Sequence, residues 1–352
     1  MTVQTAPTTH QVDSPVPRDK WRSVLAGDPL ALPEHSPEWI DALTDGGRYR
    51  DASRLYTFAD GREVILPLVR RRGPVGIGGW LLSYPSGWGM GGLVGAGIDA
   101  DVARAVLHDL RQLRRQRVAI RPDPRRWQAW AEALDGKVLT IPRRVHVIDL
   151  GEGAEKVWHG LSNSTRRHVR NAERLGVRIE TGHSGALLQD YYSLFLSSVD
   201  RWAEHQHEPR ALAHARASLR DPLAKLELIG RHLGEGFLVT LAYIDGKPAA
   251  GSITLYGRTA HYTRSAMDRE LVGRTGAGEL VQWTTIKLAC ERGCAVYNMG
   301  ESGQSAALAQ FKEKFGARPF DYAELRLDRL PWTRTDAVLR RAAKRVLGFR
   351  DV

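Results

Sequence analysis

A chain of 352 residues is longer than one compact domain usually holds, so two domains are expected. Its 42% hydrophobic and 26% charged residues fit a globular protein, and no apolar run reaches the roughly 18 residues of a membrane-spanning helix. A net charge of +11 favours polyanionic partners such as RNA, phosphorylated carriers or an anionic membrane surface. The only cysteines, Cys290 and Cys294, exclude a disulfide framework and fit a reducing cytosol, as two thiols rather than metal ligands.

Residues 1–20 have no apolar segment and are expected to be a disordered leader, not a signal peptide. Folded structure is expected from Trp21 to residue 144. His35-Ser36-Pro37-Glu38-Trp39-Ile40 marks a helix start, with Ser36 as N-cap and Pro37 in the first turn. Leu55–Phe58 and Val64–Val69 have strand character, with Asp60-Gly61 at the turn. Gly73 to Gly97 reads as a long glycine-rich loop, where Trp80, Tyr84 and Trp88 either line a cleft or pack the loop. Its glycines lack P-loop or dinucleotide spacing. Val102–Leu113 is helical by period, Val118–Ile120 is a short buried strand, and Trp127–Leu134 is another helix.

The change of domain is expected near Pro142–Leu150, with a strand over Val145–Leu150 and a second domain over 145–330. A basic helix follows, from Ser164 as N-cap to Gly176 at its stop. Thr165, Val169, Ala172 and Leu175 would face the core; Arg166, Arg167, Arg170 and Arg174 take the other faces. Like charges at that spacing repel, and an anion would relieve the repulsion. Leu187–Trp202 is an amphipathic helix and Ala211–His232 a further helical region. Three strands, Phe237–Ile244, Pro248–Tyr256 and Ala260–Ala266, form an antiparallel meander. A helix over Gly276–Glu291, a strand over Ala295–Met299, a short helix carrying Lys312 and a strand over Phe320–Leu327 complete the order. The sum is a mixed α+β chain. The tail, 331–352, reads as a basic amphipathic helix that either lies on tRNA or a membrane surface or covers its own domain.

The ordered segments STRRHVRNAERLGV, AYIDGKPAAGSITLYG, GELVQWTTIKLACERGCAVYNMG and FKEKFGA resemble the FemABX-like branch of the GNAT acyltransferase superfamily. HSPEWIDAL and DGREVILPLV match it more loosely in the first half. The resemblance implies two tandem GNAT-like domains, each a mixed central sheet flanked by helices, with the active cleft between or beside them. It implies a cytoplasmic enzyme with no resident cofactor that forms amide bonds. The donor would be aminoacyl-tRNA, with acyl-CoA as the alternative. The acceptor would be the amine of a peptidoglycan precursor or a small peptide-like metabolite, with peripheral contact to an anionic membrane. A non-catalytic RNA- or envelope-binding module on the same fold is the rival from another class.

Acyl transfer to an amine needs a positioned carbonyl, a neutral amine and stabilised charge on the tetrahedral oxygen. Lys312 suits the last role, and the resemblance assigns a lysine of this motif to it; Phe311 would orient it. Gly276 and Gly278 open a helix and can present backbone N–H groups to a phosphate, with Arg274 beside them. An acyl-CoA enzyme of this superfamily normally has Arg or Gln where Gly273 stands, which favours the tRNA donor. Arg166, Arg167 and Arg170 are read as ligands for a phosphate on the acceptor or for the tRNA acceptor stem. Glu301, Asp268, Tyr256 and Tyr262 are general-base candidates by position only, and proton transfer through water or the tRNA ribose is the alternative.

Overall fold

In a computed structural model, residues 9–71, 79–113, 115–303 and 305–329 are described. The described residues divide into two compact units: 9–144 with 320–329, and Val145–Pro319. The expected second domain ran to 330, but the strand from Phe320 groups with the first unit.

The first unit begins with β1 (Thr9–Asp13), α1 (Arg18–Ala26), α2 (Pro37–Asp45), β2 (Tyr49–Asp51), β3 (Arg54–Phe58), β4 (Glu63–Leu66), β5 (Val69–Arg71) and β6 (Trp80–Ser83). It continues with α3 (Ala100–Gln112), β7 (Arg117–Ile120), α4 (Trp127–Ala133) and the first half of β8 (Leu139–Asp149). β1 pairs antiparallel with β3, so chain expected to be a disordered leader is already ordered from residue 9. The pairing supplies a partner for its backbone groups, which composition cannot reveal. Ser36 caps α2 as expected, accepting from the Trp39 N–H. β6 and β7 run parallel while the neighbouring pairs are antiparallel, giving a mixed sheet. Its core gathers Tyr56, Phe58, Val106, Leu110, Val118 and Trp130. Tyr84 and Trp88 are buried, with Trp88 edge-on to Trp39, so these two aromatics pack the loop.

The second unit takes the rest of β8 and adds α5 (Gly153–Gly160), α6 (Asn163–Arg174), β9 (Arg178–Gly182), α7 (Gly185–His205), α8 (Arg210–Arg220) and α9 (Leu223–Leu233). The meander follows as β10 (Phe237–Ile244), β11 (Lys247–Tyr256) and β12 (Ala260–Met267). Next come α10 (Arg269–Val272), α11 (Ala277–Glu291), β13 (Val296–Glu301), α12 (Ala306–Glu313) and the start of β14 (Arg318–Asp328). The strand order here is β8-β13-β12-β11-β10-β9, and only β12 and β13 are parallel neighbours. α11 covers one face over Leu238, Ala242, Ala250 and Tyr256, and Tyr191 of α7 packs the other against Gly251. The Tyr297 hydroxyl ties β13 to α11 through the Gln282 amide at 2.8 Å and the Thr285 hydroxyl at 2.7 Å.

Three local expectations change. The cap of α6 is Ser162, whose hydroxyl accepts from the Thr165 N–H, two residues before the expected Ser164. Leu175, expected to face the core, is 52% exposed because α6 has ended before it. The helical region over Ala211–His232 is two helices, broken at Asp221-Pro222, where proline blocks a continuous helix. The expected basic tail helix, 331–352, lies outside the described residues, and among those described no helix is long and apolar enough to cross a membrane.

The break at Asp221 has an electrostatic purpose. Its carboxylate is buried and accepts from Lys225 Nζ at 2.9 Å and from the Arg264 guanidinium of β12. These cations hold it well below the usual carboxylate range despite its burial, while burial pulls Lys225 down to about 7. Asp221→Ala strips the shared anion from buried Lys225 and partly buried Arg264 and is expected to cost about 3–5 kcal/mol of unfolding free energy in a urea titration. A loss under about 1 kcal/mol would show that the cations are neutralised another way.

Candidate active site

β12 and β13 pair at only two positions, Ala260 with Tyr297 and His261 with Asn298. β13 then breaks register with β8: Asn298 pairs with Val147, and the next pair is Glu301 with Val145. Within this irregularity Gly300 has a φ of +72°, its N–H donates to the Asn298 side chain at 2.8 Å, and a Cβ there would lie 3.3 Å from the Tyr262 carbonyl. Glycine therefore serves both the backbone twist and the close approach. The bulge turns the carbonyls of Gly300 and Glu301 toward α12.

Lys312 meets them there. Its side chain is 2% exposed, and Nζ donates to the Gly300 carbonyl at 2.9 Å and the Glu301 carbonyl at 2.8 Å. Two of the three ammonium N–H groups are so engaged, leaving one donor for a substrate oxygen. Burial pulls this lysine down to about 8, against a smaller opposing effect of the Glu301 charge. Lys312 thus neither solvates its helix nor pairs with Glu313. Phe311 packs on Phe315 with ring centroids 5.1 Å apart, and Phe315 is buried in the core under β13. The Lys314 carbonyl accepts from the Ser162 N–H at 2.8 Å, joining the end of α12 to the cap of α6.

Along α6, Arg166, Arg167 and Arg170 line one pocket of about 350 Å³ with Trp158, His159 and Asn163. Arg166 is held by the His159 carbonyl at 2.8 Å. Arg170 sits 5.6 Å from the Trp158 ring centroid, and Trp158 packs on Trp283 at 4.9 Å. Arg167 is exposed. The structure therefore brings the three predicted arginines together around an aromatic floor.

The glycines opening α11 are placed differently. Gly276 has a φ of +86°, and a Cβ there would lie 2.3 Å from the His168 carbonyl oxygen. Asn171 donates to the carbonyls of Arg274 and Thr275 at 3.3 and 3.0 Å, and His168 Nδ1 lies 2.9 Å from the Glu279 carboxylate. The space at Gly276 is filled by the backbone of α6, and Glu279 sets a negative charge in the first turn. Gly278 faces open space, with Met267 3.9 Å from a hypothetical Cβ, and Arg274 is exposed.

Among the general-base candidates, Asp268 caps α10, accepting from Glu270 and Leu271. Tyr256 donates to the Thr285 carbonyl at 3.2 Å, and burial raises both Tyr256 and Tyr262. Glu301 contributes its carbonyl to Lys312. Sequence reasoning missed His146 and Ser302. His146, on β8, is 1% exposed, its Nδ1 lies 3.2 Å from the Ser302 hydroxyl, and its Nε2 lies 3.7 Å from the Glu313 carboxylate. In VHVID a histidine between valines on an alternating strand carried the signal. Among the described residues no cluster of His, Cys, Asp and Glu is placed to hold a metal ion.

Comparison with known proteins bears on the family and the fold. Residues 161–313 match the acetyltransferase (GNAT) domain family. FemX shares the fold, with a TM-score of 0.65 at 11% identity, covering 90% of this chain and 97% of that one. A conserved protein of unknown function from Bacteroides thetaiotaomicron VPI-5482 gives 0.54 at 10% identity, covering 88% and 97%. The C-terminal domain of a protein named as a lysylphosphatidylglycerol synthetase, from Agrobacterium fabrum, gives 0.50 at 13% identity, covering 88% and 91%. No curated protein matches in sequence. Residues 161–313 thus match a GNAT acetyltransferase domain in sequence, and the chain shares the fold of FemX.

Two outcomes follow from this geometry. Gly276→Ala meets both a left-handed backbone and the His168 carbonyl, and is expected to cost roughly 2–4 kcal/mol in thermal or urea unfolding. A variant of unchanged stability would show that the space is open to a ligand. Lys312 is protonated below about 8 and loses its donor charge above it, so kcat for acyl transfer should fall as pH rises through about 8. A rate level to pH 10 would mean that Lys312 does not act as a cation.

Proposed function

We propose that this chain is an N-acyltransferase that moves an aminoacyl group from aminoacyl-tRNA to the amine of a peptidoglycan precursor or small peptide-like metabolite, in the cytoplasm. The observation that carries the chemistry is Lys312: a buried ammonium, fixed by two backbone carbonyls, with one N–H to offer. An amine attacking the ester carbonyl drives charge onto its oxygen. A preorganised donor in a water-poor site stabilises that charge without having to reorient. The donor rests on other residues.

Two features support tRNA as the donor. Arg166, Arg167 and Arg170 around Trp158 combine phosphate-binding charge with a stacking surface, the pairing that single-stranded nucleic acid recognises. The start of α11, where a CoA pyrophosphate would be expected in this superfamily, is occupied at Gly276 by the His168 carbonyl and carries Glu279. Both features disfavour an added anion.

The test supplies charged tRNA, with and without RNase, and in parallel acyl-CoAs, and follows transfer to a panel of amines. RNase-sensitive transfer is expected; RNase-insensitive transfer from acyl-CoA alone would overturn the donor assignment. Lys312→Met should lower kcat by about 10²–10³. Arg167→Gln with Arg170→Gln should weaken tRNA binding and flatten its log-log salt dependence by up to about 0.7–0.9 per arginine. An unchanged salt slope would remove these arginines from the tRNA contact.

A further inference from the structure

Five residues close a ring beside the bulge of β13. Lys312 holds the carbonyl of Glu301, which belongs to the same peptide unit as the Ser302 nitrogen. The Ser302 hydroxyl lies 3.2 Å from His146 Nδ1, and His146 Nε2 lies 3.7 Å from Oε1 of Glu313, the residue after Lys312 on α12. Ser302 is 7% exposed and His146 1%, whereas the Glu313 side chain is 53% exposed. A hydroxyl next to the oxyanion donor is thus joined through a buried imidazole to a carboxylate in water.

We propose that Ser302 is a catalytic residue that takes the acceptor amine's proton and passes it to His146, with Glu313 as the outlet. The proposal rests on the N-acyl-transfer reading above and supplies the general base that reading lacks. An amine is mostly ammonium near neutral pH and has no lone pair to attack with until a proton leaves. The ammonium gives its proton to the Ser302 oxygen as the Ser302 hydroxyl proton moves to His146 Nδ1. The products are a neutral amine, an intact serine and an imidazolium. The Nε2 proton then leaves toward Glu313 and water, and the neutral ring, left with its proton on Nδ1, returns to the Nε2 tautomer by proton exchange with water before the next turnover. No bond to the serine oxygen is kept and no co-reactant is needed.

The surrounding charges suit this direction of travel. Glu313 of α12, 3.7 Å from His146 Nε2, stabilises a transient imidazolium. The Lys312 ammonium is directed at the carbonyls of Gly300 and Glu301, and Arg144, two residues back on β8, is engaged by Asp321. The resting imidazole must carry its proton on Nε2, leaving Nδ1 to accept from Ser302.

The test has a structural and a kinetic arm. Nitrogen-15 NMR of histidine-labelled protein should find His146 neutral with the proton on Nε2; a proton on Nδ1 would overturn the proposal whatever the enzyme's activity. In transfer assays, the acceptor is varied from a strongly basic primary amine to hydroxylamine, which is neutral at pH 7. His146→Gln and, independently, Ser302→Ala should lower kcat by about 10²–10⁴ with the basic amine and by less than about tenfold with hydroxylamine. Equal losses across the series would mean that the pair only supports the fold, and would overturn the proposal. A wild-type protein that transfers from no donor would sink the acyl-transfer reading and the proposal with it, an outcome distinct from failure in the variants alone.

Discussion

The buried contact between the Lys312 ammonium and the carbonyls of Gly300 and Glu301 is the constraint around which the second unit is organised. Burying an ammonium is costly, and the cost is tolerable only because two carbonyls face it and the Glu301 charge opposes its deprotonation. For both carbonyls to point one way, β13 has to leave its regular ladder, and Gly300 with its positive φ is how it does so. The strand irregularity, the glycine and the lysine are therefore one device. None would persist without the others.

That device is anchored on both sides. Tyr297, just before the bulge, is pinned under α11 by Gln282 and Thr285, so the strand enters the irregularity from a rigid position. After Lys312, Phe311 and Phe315 pack together and the Lys314 carbonyl receives the Ser162 N–H at the cap of α6. The helix that carries Lys312 and the helix that carries the arginines thus share a hydrogen bond. Lys312 and the arginines are positioned by a single short span of chain, which gives the FKEKFG segment a structural meaning beyond its lysine. The same helix α6 packs its His168 carbonyl against Gly276. One packing decision thereby presents the basic face and closes the start of α11.

Polar interiors on the two faces of the meander serve different ends. Under α11 the hydroxyls and amide around Tyr297 are neutral and locate the strand. On the other face Asp221 gathers Lys225 and Arg264, so a helix break holds a charge cluster that ties α8 and α9 to β12. Buried charge of this kind contributes little net stability when complete and costs much when broken.

Much of this was legible in the chain itself, because periodicity and turn chemistry are local. The meander, the Ser36 cap of α2 and the amphipathic α7 were read from spacing and residue type, while Lys312 was marked by the resemblance that FKEKFG carries. What spacing could not carry was anything fixed by residues far apart in sequence. β1 is a strand because β3 lies beside it, although its own composition reads as a leader. Ser162 rather than Ser164 caps α6, and Gly276 is glycine because His168 approaches it, not because a phosphate must. His146 and Ser302 are 156 residues apart, and neither has meaning until β8 and β13 pair. The sequence by itself determined most of the elements, the basic balance and the FKEKFG motif that carries Lys312. The tertiary structure alone decided which carbonyls hold that lysine, which space remains for a ligand, and which buried imidazole stands beside it, since each is a contact that exists only after the chain has closed on itself.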